Sequence, residues 1–156
     1  MDNFDEKFMK HALELAQKAA DANEVPVGCV IIHDGAIIGQ GYNLRNTKGN
    51  TLYHAEISAI DQACQYLGDW RLDNCTMYVT LEPCPMCAGA ILQARLPRLV
   101  FGATNPKAGA VGSVIDLLST EGFNHKVEVT QGVLRDQCVN IIKCFFAQFR
   151  KNNPID

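Results

Sequence analysis

Apolar residues recur at three- and four-residue spacing from the start of the chain, through Phe4, Phe8, Ala12, Ala16 and Ala19/Ala20, with Met9 and Leu13 alongside. This period predicts an opening amphipathic helix. Residues 27–32 and 36–42 are instead apolar, β-branched runs, and Asp34-Gly35 between them predicts a hairpin turn. The helical period returns from His54 through Ile57, Ile60, Ala63, Cys64 and Leu67, with Gly68 marking the end. Residues 76–81 then read as a strand, 85 to about 95 as a helix, 99–102 as a strand, 114–118 as a short helix and 127–130 as a strand. A final helix from 133 to about 151 is apolar at Leu134, Cys138, Ile141, Ile142 and Phe145. Strands alternating with helices predict an α/β domain, a sheet covered by helices.

The chain has no internal repeat, low-complexity tract or linker, so residues 1–156 are read as a single domain. Its 47% hydrophobic and 20% charged residues are ordinary for a globular protein. No apolar run approaches the roughly 20 residues a membrane span needs. The first ten residues carry acids and no apolar stretch, so a secretory signal is not expected and a cytoplasmic location is. The seven cysteines are then expected to be thiols or metal ligands rather than a disulfide framework. Five of them, Cys29, Cys64, Cys75, Cys138 and Cys144, lie in apolar surroundings and are expected in the core.

Two motifs carry the chemistry: His54-Ala55-Glu56 and Pro83-Cys84-Pro85-Met86-Cys87, each opening a predicted helix. Two cysteines three apart in a first helical turn point the same way and can grip one ion. The helix N-terminus favours their thiolates, and a proline there loses no needed hydrogen bond. His54 completes a three-ligand set. Two thiolates offset the charge of one Zn2+ per chain, and the fourth position is left for a water that the ion acidifies. Glu56, two residues past a ligand, sits where a carboxylate can shuttle protons without binding the metal.

His-x-Glu followed by Pro-Cys-x-x-Cys is the known signature of the zinc nucleobase deaminases. From about Phe8 to Arg150 the chain also resembles the bacterial tRNA-specific adenosine deaminases, as in Glu24-Val25-Pro26-Val27-Gly28, Thr80-Leu81-Glu82-Pro83-Cys84 and Met86-Cys87-Ala88-Gly89-Ala90. Gly109-Ala110-Val111-Gly112-Ser113 and Asn124-His125-Lys126-Val127-Glu128-Val129 continue the match. The resemblance implies a cytidine-deaminase-like three-layer α/β/α fold with a five-stranded mixed sheet. It implies hydrolytic deamination of adenosine to inosine at the wobble position of a tRNA anticodon, with an arginine tRNA as substrate, by a homodimer that touches no membrane. By position, His54, Cys84 and Cys87 would bind zinc and Glu56 would be catalytic. Asn43 would bond the base edge, Val27 and Ala55 would wall the pocket, and Phe146 and Arg150 would touch flanking nucleotides of the anticodon loop.

Other readings stand beside these. Cys84 and Cys87 alone would suit a redox pair, and a structural zinc would recruit His33, His125 or a spare cysteine as fourth ligand. Asn43 could be a turn residue, and Phe146 could belong to the core. A net charge of −3 suits a free base, guanine or cytosine, better than a polynucleotide. Its distribution softens that objection, since residues 1–75 carry −5 and residues 76–156 carry +2. A non-catalytic zinc module is a further alternative, and it would have no need of Glu56.

Overall fold

The computed structural model describes residues 3–152. Its elements in chain order are α1 (Asn3–Asp21), β1 (Gly28–His33), β2 (Ala36–Tyr42), α2 (Arg45–Lys48), α3 (Ala55–Leu67), β3 (Cys75–Leu81), α4 (Pro85–Gln93), β4 (Arg98–Ala103), β5 (Glu128–Gln131) and α5 (Arg135–Asn152). The five strands form one sheet in the order β2-β1-β3-β4-β5. β1 runs antiparallel to β2 and β3, while β3, β4 and β5 are mutually parallel, so the sheet is mixed. Asp34 and Gly35 both take positive φ, as the hairpin turn requires.

Alternation along the central strands divides the core in two. Cys29 and Ile31 of β1, Met77 and Val79 of β3, and Leu99 and Phe101 of β4 face one side, where α3 and α4 pack with Ala59, Ala63, Ala88 and Ile91. Val30, Ile32, Tyr78 and Val100 face the other, against Phe8, Met9, Ala12 and Leu15 of α1 and Cys138 of α5. The result is three layers, with helices on both faces of the sheet. Small residues bring α3 very close to β2: a Cβ on Gly39 would overlap the Ala59 carbonyl, and one on Gly41 would lie 2.5 Å from the Ala55 carbonyl. A bulge in β2 opposite Ile31 and Ile32 turns Ile38 into the same core.

Between α1 and the sheet, buried Asp5 accepts a hydrogen bond from the Tyr78 hydroxyl of β3 at 2.7 Å. Two more come from the Arg98 guanidinium, at 2.9 and 2.8 Å. Arg98 holds the Asp5 carboxyl below its ordinary range.

Several expectations are corrected. The helix anticipated over 114–118 is a loop: Val111 bridges Asp116, and only Leu117–Ser119 make a 3-10 turn. Val114 and Ile115 are exposed there, so their apolar character marks surface rather than a buried helix face. The last helix begins at Arg135 because Leu134 adopts a positive φ, which an α-helix cannot include. Cys138 is its one buried side chain among the described residues, and Ile141, Ile142 and Phe145 are half-buried. Phe146 is exposed rather than core, Cys144 is also exposed, and Cys64 is half-buried. The single turn of α2 was not anticipated, since its polar residues carry no hydrophobic period.

Candidate functional site

His54 is the N-cap residue of α3 and Cys84 that of α4, with Pro85 opening the latter helix. Two helix starts therefore meet at one place, each contributing partial positive charge that favours thiolate and carboxylate. His54 Nδ1 lies 3.6 Å from Cys84 Sγ and 3.5 Å from Cys87 Sγ. The three donor atoms all fall within 4.8 Å of one another, close enough to share one ion. Hydrogen bonding with Cys87 and then with His54 pulls the Cys84 thiol down to about 4. The shared hydrogen bond and burial push Cys87 the other way. The bond to Cys84 raises His54 above its ordinary value.

Two sulfurs and an imidazole nitrogen are the donor set of a borderline-soft tetrahedral cation, and the residues present fit zinc. Among the described residues no fourth histidine, cysteine or acid joins the group. His33 is instead 3.8 Å from Cys75 Sγ and 3.3 Å from Asp34. His125 meets the Leu96 carbonyl at 2.6 Å. The two histidines a structural zinc would recruit are engaged elsewhere, and no spare cysteine joins the group among the described residues.

Glu56, in the first turn of α3, is only 4% exposed, and burial pushes its carboxyl up to about 7. A carboxyl poised there exchanges protons readily in both directions. Glu56, His54 and Cys84 line a cavity of about 200 Å³, whose wall also includes Val27, Asn43, Arg45, Leu81, Asn105 and Ala108. The mouth lies at the carboxyl ends of the parallel strands β3 and β4, a common place for ligands in open α/β sheets.

Asn43 and Val27 thus line the same cavity as His54, Glu56 and Cys84. Asn43 also does turn work: its amide donates to the Val25 carbonyl at 3.2 Å and its oxygen accepts from the Arg45 N–H at 3.2 Å. Ala55 is buried against Gly41 and does not line the cavity. Phe146 and Arg150 are exposed on α5 and do not line it either.

Sequence reasoning missed Arg45, Asn105 and two buried carboxylates, Glu24 and Glu82. Glu24 accepts from the N–H groups of Asn46 and Thr47, beside the cavity-lining Arg45. Glu82 accepts from the loop after β4. The rule that sites gather beyond the ends of parallel strands could have pointed to Glu82 and Asn105.

Residues 3–150 match the MafB19-like deaminase family. The chain is 48% identical over 147 residues to the tRNA-specific adenosine deaminase of Bacillus subtilis, covering 94% of this chain and 91% of that one. It is 47% identical over 154 residues to the tRNA-specific adenosine deaminase of Haemophilus influenzae, covering 98% and 89%. Among solved structures, one from studies of A-to-I editing by tRNA:A34 deaminases at the wobble position aligns with a TM-score of 0.83 and 41% identity, over 86% of this chain and 98% of that one. A guanine deaminase from Nitrosomonas europaea aligns with a TM-score of 0.77 and 25% identity, over 91% and 84%.

Proposed function

We infer that this chain, which belongs to the MafB19-like deaminase family, is an enzyme that deaminates adenosine to inosine in tRNA. The observation that carries the chemistry is the His54, Cys84 and Cys87 triangle with buried Glu56 on the wall of the same cavity. The identity of nearly half the residues with tRNA-specific adenosine deaminases, over almost the whole chain, carries the substrate. We further propose that the target is the wobble adenosine, a reading supported by likeness to a structure from studies of tRNA:A34 deaminases, and that the tRNA is an arginine tRNA, as the sequence resemblance implies.

His54, Cys84 and Cys87 would hold one Zn2+. When bound, the ion supplies Lewis acidity that brings the pKa of a coordinated water to about 7. Glu56 accepts a proton as water adds to C6 of the adenine. It delivers that proton to ring N1, then takes the proton of the new C6 hydroxyl and passes it to the departing amine, which leaves as ammonia, so one carboxyl serves both halves of the reaction. Burial raises the Glu56 carboxyl above its ordinary range, which favours its holding a proton between transfers. Asn43, on the same wall, would orient the base edge with the amide hydrogen and lone pair not used in its turn. Exposed Phe146 and Arg150 would stack on and pair with nucleotides flanking the target.

Residues 1–156 are read as one catalytic domain working as a homodimer. No helix among the described residues is long and apolar enough to cross a membrane. A tRNA substrate accords with the expected cytoplasmic location.

The test is to incubate the protein with an arginine tRNA bearing an ACG anticodon and analyse its nucleosides. Inosine at the first anticodon position is expected. Ammonia released from free guanine with the tRNA untouched would replace this reading with the free-base one, which the net charge of −3 favours.

A further inference from the structure

Glu82 stands between the last residue of β3 and Pro83-Cys84, and the deamination chemistry leaves it without a task. It is nevertheless only 2% exposed. Its carboxylate accepts from the backbone N–H of Asn105 at 3.0 Å, of Val111 at 2.9 Å and of Ser113 at 3.1 Å. The Ser113 hydroxyl donates as well. All four donors belong to one loop, the segment between β4 and the 3-10 turn. The Ala110 N–H adds a bond to the Pro83 carbonyl at 2.8 Å. Gly109 packs so tightly on the carboxylate that a Cβ there would overlap it. The loop is wrapped around an anion.

These partners are neutral N–H and O–H groups. A buried carboxylate is tolerated only when its oxygens are hydrogen-bonded, and the half-buried N–H groups of Asn105 and Val111 lose their partner without it. Anion and loop therefore hold each other. The same loop contributes Asn105 and Ala108 to the cavity wall facing His54 and Glu56.

We propose that Glu82 is a positioning residue, fixing the 105–113 loop as the wall against which the substrate nucleoside is oriented over Glu56. This rests on the deaminase reading above. Glu82 also reaches the cavity wall, but both its oxygens are taken up by the loop's donors, so it acts through the loop, and its loss weakens substrate engagement more than chemistry.

Glu82→Gln tests this with nearly unchanged volume. Oε1 receives Asn105 N–H and the Ser113 hydroxyl, and Oε2 receives the N–H groups of Val111 and Ser113. Whichever way the amide turns, its NH2 confronts at least one backbone donor. In zinc-loaded protein, amide exchange across 105–113 is expected to quicken by about tenfold or more while protection in α3 and α4 is kept. On the tRNA substrate KM is expected to rise about tenfold with kcat within about threefold of wild type. Ser113→Ala, which removes one side-chain donor, should shift both in the same direction by less.

Unchanged exchange in 105–113, or a fall in kcat with KM unchanged, would overturn the proposal. If wild-type protein makes no inosine from tRNA, the substrate assignment fails, and exchange still decides whether Glu82 anchors the loop.

Discussion

Gly41 of β2 lies so close to Ala55 of α3 that a Cβ on the glycine would stand 2.5 Å from the alanine carbonyl. Ala55 is flanked by His54 and Glu56, so this backbone-to-backbone contact sets where the ligand and the carboxylate stand relative to the sheet. Gly41→Ala is expected to destabilise the protein by about 1–3 kcal/mol, as overpacking does. Activity per folded molecule should fall as well, because the displaced element is the one that carries Glu56. Denaturant unfolding and kinetics on the same preparation check both.

On the proposed mechanism Glu56 is the proton shuttle, and replacing it leaves the three-donor triangle in place. Glu56→Ala is expected to keep bound zinc and the thermal transition while turnover falls by roughly 10²–10⁴, the usual contribution of a general acid–base. Zinc content by elemental analysis and inosine yield in single-turnover reactions check this. Turnover within a few-fold of wild type would remove Glu56 from the mechanism.

Cys87→Ala takes a buried sulfur from the three-donor group. It is expected to cut zinc content from about one per chain to a small fraction, with activity lost in proportion. In wild-type protein a strong chelator should remove activity, and added zinc should restore it. Retention of metal should weaken as pH falls, because protons compete for the sulfurs.

The Asp5–Arg98 pair concerns stability rather than chemistry. Asp5 is 3% exposed, and Arg98 holds its carboxyl below the usual range. A depressed folded-state pKa contributes stability that is present above the unfolded value of about 3.9 and lost as pH drops through the folded value. Asp5→Asn is expected to cost about 3 kcal/mol near neutral pH, the low end for breaking a buried pair, since Arg98 is partly hydrated. Its melting temperature should also decline less steeply than that of wild type below about pH 4. Melting curves across pH 3–7 for both proteins provide the comparison.

The sequence revealed what depends on local period and on short motifs. The hairpin at Asp34-Gly35, the alternation of strands and helices, and the chemistry-bearing starts of α3 and α4 are all encoded within a few neighbouring residues. The loop after β4 was misread because the exposed pair Val114 and Ile115 mimics a buried stripe. The start of α5 was misplaced because nothing in Leu134 announces a positive φ. Glu82 and Glu24 were passed over because their partners are backbone groups some 22 to 31 residues away, which no local pattern signals. Asn43 had two readings, turn residue and cavity wall, and it occupies both positions at once.

The glycine contacts have a consequence for diversification. Where Gly39 and Gly41 touch α3, main chain rests on main chain, and no intervening layer of atoms remains to be trimmed. A lineage, or a protein engineer, seeking room for a bulkier base cannot hollow out the floor beneath Glu56. Latitude is left in the two rims, around Arg45 and around Asn105, where new substrate preferences can arise while the reactive centre stays in register.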